Sequence, residues 1–140
     1  MPAHPPAAPA GSHRPDRILV ADDHALTRQL VALILEDLGS ILQARSGAQA
    51  LELCRALSPE LVILDLTMPG GLSGIDACRA LRADSLTATL PIILYTGSSR
   101  RDHAAACLRA GATAFLTKPF QCATLEGLAR TLLSAAGAPP

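Results

Sequence analysis

LVILDL, residues 61–66, is a run of large apolar side chains interrupted once, by the carboxylate of Asp65. A strand that is apolar at successive rather than alternate positions has both faces covered, as strands inside a parallel sheet do. Outward from this run, shorter apolar stretches at 18–21, 41–44, 91–96 and 114–116 alternate with longer segments of helical periodicity. That alternation, repeated five times, predicts an α/β fold built on a parallel sheet. Leu26, Leu30, Leu33, Ile34 and Leu38 recur at three- and four-residue spacing, as do Leu125, Leu128, Ala129 and Leu132. Each set predicts one apolar stripe docked on the sheet. Gly39, Ser46-Gly47, Ser58-Pro59 and Gly111 mark the expected helix limits.

The chain has 140 residues, 49% of them hydrophobic, enough for one ordinary domain and too few for two. Twelve Lys and Arg balance twelve Asp and Glu, so no bulk charge draws the protein to nucleic acid or to an anionic membrane. Any partner must recognise a local surface. Cys54, Cys78, Cys107 and Cys122 form no C-x-x-C pair, and each is expected to pack as a small apolar residue in a reducing cytosol. No apolar run approaches the roughly 20 residues of a membrane-spanning helix, and the N-terminus lacks the order of a signal peptide. A soluble, cytoplasmic protein is expected. Residues 1–16 hold five prolines and no large apolar side chain after Met1, which predicts a disordered tail. His4 and His13 within it are too loosely held to make a metal site. The expected domain is 17–136, with 137–140 a second disordered end.

Open parallel sheets bind ligands beyond the carboxyl ends of their strands, where strand order reverses. The residues expected there are Asp22 and Asp23 after the first strand, Asp65 near the end of the third, Thr96 ending the fourth and Lys118 after the fifth. Three carboxylates on one edge repel one another unless a divalent cation sits among them. Magnesium suits a shallow site of a few carboxylates and a phosphate oxygen. Phosphoryl transfer to a carboxylate needs an in-line nucleophile and neutralised phosphoryl oxygens, and the metal, Lys118 and the Thr96 hydroxyl would supply that neutralisation. Taken singly, Asp22 or Asp23 could instead cap the helix starting near Ala25, and Lys118 could be a solvated loop residue. Their joint appearance at successive strand ends favours chemistry.

The motifs ILVADDH (18–24), VILDLTMPGG (62–71), IILYTG (92–97) and FLTKPF (115–120) resemble, in order, those of the receiver domains of two-component response regulators. The resemblance extends over about residues 16–136. It implies a flavodoxin-like (βα)5 doubly wound sheet of strand order 2-1-3-4-5, with Asp65 as phosphoacceptor. It also implies that Asp23, Asp65 and the Thr67 carbonyl bind Mg2+ or Mn2+, with Asp22 assisting through water or directly. Thr96 would be the switch hydroxyl, Lys118 the phosphoryl-binding lysine, Phe115 the aromatic that turns inward and Lys118-Pro119 a cis bond. Phe120 is expected in the core, and Tyr95 fits a core role as well as any special one.

The sequence departs from the family pattern at Gly97, where Ala is common and whose amide should meet the phosphoryl group, and in the loop GGLSG, which is one residue longer than usual. Thr67 and Ser98 occupy positions that in the family tune attack by water; both are small and uncharged, so slow to intermediate hydrolysis is expected. The implied partners are a histidine kinase or histidine phosphotransfer protein, and a downstream protein or a second copy through the face of the fourth and fifth helices. Neither nucleic acid nor membrane is expected as a direct partner.

The implied activity is signalling rather than turnover, limited to the chain's own Mg-dependent phosphorylation and dephosphorylation. Nothing after Ala136 is expected to bind DNA or catalyse, leaving a single-domain regulator or a receiver from a larger protein such as a hybrid kinase. A phosphohydrolase of the haloacid dehalogenase type would carry a second Asp two residues after the nucleophile, where Thr67 stands. A phosphorylation-independent scaffold would be expected to lack one of the acids, the Thr or the Lys, and all are present.

Overall fold

The five apolar runs form five strands, each followed by a helix. The computed structural model describes residues 16–68, 70–97, 101–118 and 122–137. Most of both predicted tails, Ser98, Phe120 and the Lys118-Pro119 bond fall outside the described residues. The order is β1 (Arg17–Ala21), α1 (Ala25–Leu35), β2 (Ser40–Ala44), α2 (Gly47–Leu57), β3 (Leu61–Asp65), α3 (Gly74–Ala83), β4 (Ile92–Thr96), α4 (Arg101–Arg109), β5 (Ala114–Thr117) and α5 (Cys122–Gly137). All strand pairs are parallel, and the sheet order is β2-β1-β3-β4-β5, the flavodoxin-like order. At the edges of the domain, the Asp16 carbonyl accepts from Ser40 N at 2.7 Å.

β3 and β4 are buried at every position, as continuous apolar runs require. Alternation along the central strands divides the core in two. Ile18, Val20, Leu61, Ile63, Ile93 and Tyr95 face α1 and α5, while Leu19, Ala21, Val62, Leu64, Ile92 and Leu94 face α2, α3 and α4. Each fully buried Leu or Ile contributes roughly 1.5–3 kcal/mol. Short polar residues start the helices: Ser46 accepts from Gln49 N at 3.1 Å, and Ser73 with Asp76 forms a reciprocal capping box on α3. Among the described residues, no helix is long and apolar enough to cross a membrane.

Two expectations about packing are corrected. The α5 stripe docks as expected, with Leu125 and Ala129 fully buried, but α1 turns a different face inward. Val31 and Leu35 are its buried residues, with Ile34 and Leu38 packed beside them, while Leu26, Leu30 and Leu33 are 82%, 54% and 62% exposed. The apolar arc of α1 is wider than the sheet can cover, and spacing alone does not say which half docks. Cys54, Cys78 and Cys107 are buried as expected, but Cys122 is exposed, because it opens α5 before the buried stripe begins at Leu125. Truncating Leu35 to Ala should cost about 2–5 kcal/mol in urea unfolding. Leu30→Gln should change stability by no more than about 0.5 kcal/mol, and equal losses would mean that α1 docks through its other face.

Candidate functional site

Strand order reverses between β1 and β3, and the residues leaving these strands and β5 are fixed by ladder bonds that continue past the strand ends. Asp22 N donates to Ala44 O at 3.0 Å, Leu66 N to Tyr95 O at 2.7 Å and Lys118 N to Thr96 O at 2.7 Å. The loop after β3 folds back on the end of that strand, with Gly74 N donating to Leu66 O at 2.9 Å. A Cβ on Gly74 would lie 2.3 Å from the Asp65 carbonyl oxygen, so only glycine allows this approach. Gly70 and Gly71 take φ of +94° and +90°, which lets the longer loop turn before Ser73 starts α3.

Asp22 is fully buried and its carboxylate is held on both oxygens. Oδ1 accepts from His24 N at 2.8 Å, and Oδ2 accepts from the Tyr95 hydroxyl at 2.5 Å and from Lys118 Nζ at 3.4 Å. Burial alone would raise this carboxyl, but the Tyr95 hydroxyl, the His24 amide and the Lys118 charge together hold it below its ordinary value. It does not cap α1, whose N-cap is His24. Burial, then the bond to Asp22, push the Tyr95 phenol upward, so it stays a donor.

Asp65, 4% exposed, closes β3 in register with Tyr95. Its Oδ1 accepts from Thr67 N at 3.2 Å, and its Oδ2 lies 3.5 Å from Lys118 Nζ. Burial, reinforced by the charge of Asp22, raises its carboxyl to about 6 despite the opposing pull of Lys118. Lys118 is the only lysine in the chain. Its ammonium bridges Asp22 and Asp65 and sits 4.6 Å from the centre of the Tyr95 ring.

Asp23 Oδ1 is shielded from solvent yet has no hydrogen-bond donor. An uncompensated buried carboxylate oxygen is costly, and a cation is the natural remedy. Asp22, Asp23, His24 and Asp65 each offer one ligand atom, all within 4.8 Å of one another. This donor set fits a divalent ion. Asp23, His24, Asp65, Thr67, Met68, Gly97 and Lys118 line an open cavity of about 510 Å³ above it.

Of the residues expected at the site, Asp22, Asp23, Asp65 and Lys118 converge, and Thr67 and Gly97 line the same cavity. Thr96 ends β4, 3% exposed, and does not line the cavity. Phe115 pairs with Leu94 and packs in the α2–α4 half of the core, which makes Thr96, two residues beyond Leu94, its diagonal neighbour. Nothing within 4 Å would meet a Cβ on Gly97. The sequence reading missed two residues. His24 follows the acid pair, with Nδ1 3.4 Å from both Asp22 Oδ1 and Asp23 Oδ1. Tyr95 was readable as more than core, since a phenol in a wholly buried strand must find an acceptor.

The response regulator receiver domain family matches residues 18–130. The phosphate regulon transcriptional regulatory protein PhoB of Pseudomonas aeruginosa is 36% identical over 121 residues, 86% of this chain and 52% of that protein. The DNA-binding response regulator MtrA of Mycolicibacterium paratuberculosis is 38% identical over 118 residues, 84% of this chain and 51% of that protein. The chain thus spans about half the length of these two relatives. Since MtrA is DNA-binding by name, the expectation of no nucleic-acid contact draws no support from them. The signal receiver domain of a signal transduction histidine kinase from Syntrophus aciditrophicus superposes with a TM-score of 0.81 at 29% identity, covering 89% of this chain and 95% of that one. On a sheet of the same order, with its acids and its lysine gathered at the strand ends, this chain belongs to the response regulator receiver domain family and is a signalling module of two-component systems.

Proposed function

We propose that Asp65 is the phosphoacceptor, receiving its phosphoryl group from a phosphohistidine of a histidine kinase or phosphotransfer protein. The observation that carries this reading is a nearly buried carboxylate at the end of β3, bordered by two further acids and by Lys118 at 3.5 Å. An Asp65 oxygen bonds to phosphorus as the phosphorus–nitrogen bond breaks and the imidazole leaves, giving an acyl phosphate. Lys118 then turns its charge to the phosphoryl oxygens, and the Gly97 amide and Thr96 hydroxyl donate to them. A Mg2+ or Mn2+ ion, when bound, neutralises those same oxygens; Asp23, Asp65 and the Thr67 carbonyl would hold it. Asp22, its oxygens already engaged, acts from behind, through water and through its hold on Lys118.

Movement of Thr96 toward the phosphoryl group relieves its diagonal neighbour Phe115, coupling the site to the α4–β5–α5 face, where a target protein or a second copy would bind. Thr67 and Ser98 leave attacking water poorly oriented, so the phosphoryl group persists. Leu26, Leu30 and Leu33, exposed on the helix that starts at the site, offer the phosphodonor protein an apolar face. The receiver unit is 17–136, it acts in the cytoplasm, and its chemistry is confined to its own phosphorylation and dephosphorylation. Its zero net charge supports signalling through protein rather than direct nucleic-acid contacts.

Incubation with acetyl phosphate and magnesium should add one phosphoryl group to the wild type and none to Asp65→Asn, by intact mass. An unlabelled wild type, or an equally labelled variant, sinks the assignment. The raised carboxyl of Asp65 also makes stability depend on pH. The unfolded group ionises near its ordinary value of 3.8, whereas the folded one resists until about 6, so stability present below 3.8 is lost as pH rises to 6. In EDTA above that window, Asp65→Asn should be more stable than wild type by on the order of 3 kcal/mol, the gap closing toward the acid side. Chemical denaturation across pH reads this, and a pH-independent gap would contradict it.

A further inference from the structure

α1 begins without a side-chain cap, because His24 at its N-cap makes no capping bond. The turn that carries the acid pair is held instead from inside the helix. Arg28, whose amide closes the first helical turn onto His24 O at 3.0 Å, reaches back with Nη1 to the carbonyl of Asp22 at 2.7 Å and with Nε to Gln43 Oε1 on β2 at 3.0 Å. The Asp22 amide donates to Ala44 O at 3.0 Å, so the backbone of Asp22 is pinned on one side by β2 and on the other by α1. That carbonyl belongs to the planar peptide joining Asp22 to Asp23, so holding its oxygen sets where Asp23 starts. Asp23 depends on its backbone for placement, since its Oδ1 accepts no hydrogen bond that would fix it. A guanidinium that engages two acceptors through its rigid fork is both strong and directional.

We propose that Arg28 is a positioning residue of the acceptor site: by holding the Asp22 carbonyl it presets the carboxylate of Asp23 for the divalent cation. This rests on the proposed function above, in which Asp23 is a metal ligand. Charge and grip act here in opposite directions. A bare positive charge beside a cation site opposes metal binding, so its removal would tighten that binding. A lost hold on the ligand does the reverse, because partners that orient metal ligands are worth about tenfold or more in affinity. The sign of the change therefore separates positioning from charge alone.

The test uses the full chain. Mg2+ binding to wild type, Arg28→Met and Gln43→Ala is followed by calorimetry and by the fluorescence of Tyr95, the one tyrosine in a chain without tryptophan. Urea unfolding confirms that the variants fold, and Gln43 is exposed, so its variant keeps the test open if Arg28→Met does not fold. Arg28→Met, which keeps the apolar stem, should weaken Mg2+ binding by about tenfold or more. Gln43→Ala should give a smaller loss of the same sign, and no further loss when added to Arg28→Met. With acetyl phosphate, the Mg2+ concentration for half-maximal labelling should rise by the same factor in Arg28→Met, while the rate at saturating Mg2+ stays within about twofold of wild type. Mg2+ binding unchanged or tightened in either variant, a Gln43→Ala loss that adds in full, or a saturated rate that falls with binding intact would each overturn the assignment. A wild type that binds Mg2+ without labelling removes Asp65 as acceptor and leaves the binding test of Arg28 in force, whereas normal labelling with a Mg2+ requirement independent of Arg28 removes only the role of Arg28.

Discussion

The carboxylate of Asp22, buried to zero exposure and held by the Tyr95 hydroxyl, the His24 amide and the Lys118 ammonium, is the constraint on which the site depends. An isolated buried charge is prohibitive, and these three donors make this one tolerable. Each donor belongs to a different part of the sheet edge: Tyr95 to β4, His24 to the start of α1 and Lys118 to the exit of β5. Asp22 therefore ties β4, the start of α1 and the exit of β5 together. It also keeps Lys118 within reach of Asp65 rather than free in solvent, and its own negative charge raises the neighbouring carboxyl.

The sheet makes this convergence inexpensive. Parallel strands bring their carboxyl ends to one edge, and the reversal of order between β1 and β3 leaves a crevice that the acids occupy. Close packing then fixes the loops. Gly74 lies against the carbonyl of Asp65, and the capping box of Ser73 and Asp76 anchors the next helix immediately after it. Asp65 is thus set on closely packed backbone, and Thr96 and Phe115 lie as diagonal neighbours on the adjacent strands β4 and β5.

Most of this was legible in the sequence because it follows from periodicity and position. Continuous apolar runs identified β3 and β4, and polar residues abutting such runs identified Asp22, Asp23, Asp65 and Lys118 as neighbours at one edge. What escaped was set by rotation and reach, which spacing does not encode. The apolar residues Leu26, Leu30, Val31, Leu33, Ile34 and Leu35 cover more of α1 than the sheet can bury, so the stripe chosen from the sequence was partly the solvent face. Cys122 was assigned to the core from residue type alone, although it precedes the docked stripe of α5. Tyr95 and His24 escaped because their significance lies in contacts with an acid 73 and 2 positions away, the first a matter of strand pairing and the second of a loop conformation.

One site therefore contains two carboxylates in opposite electrostatic situations: Asp22 stabilised as an anion by its donors, and Asp65 pushed toward its neutral form by burial and by the charge of Asp22. Carbon-detected NMR titration of the aspartate carboxyls in the metal-free protein tests this most directly. Asp65 should titrate near 6, and Asp22 should remain ionised below the ordinary aspartate value of 3.8. An Asp65 that titrates at 3.8 or lower, or an Asp22 that takes up a proton before it, would contradict it.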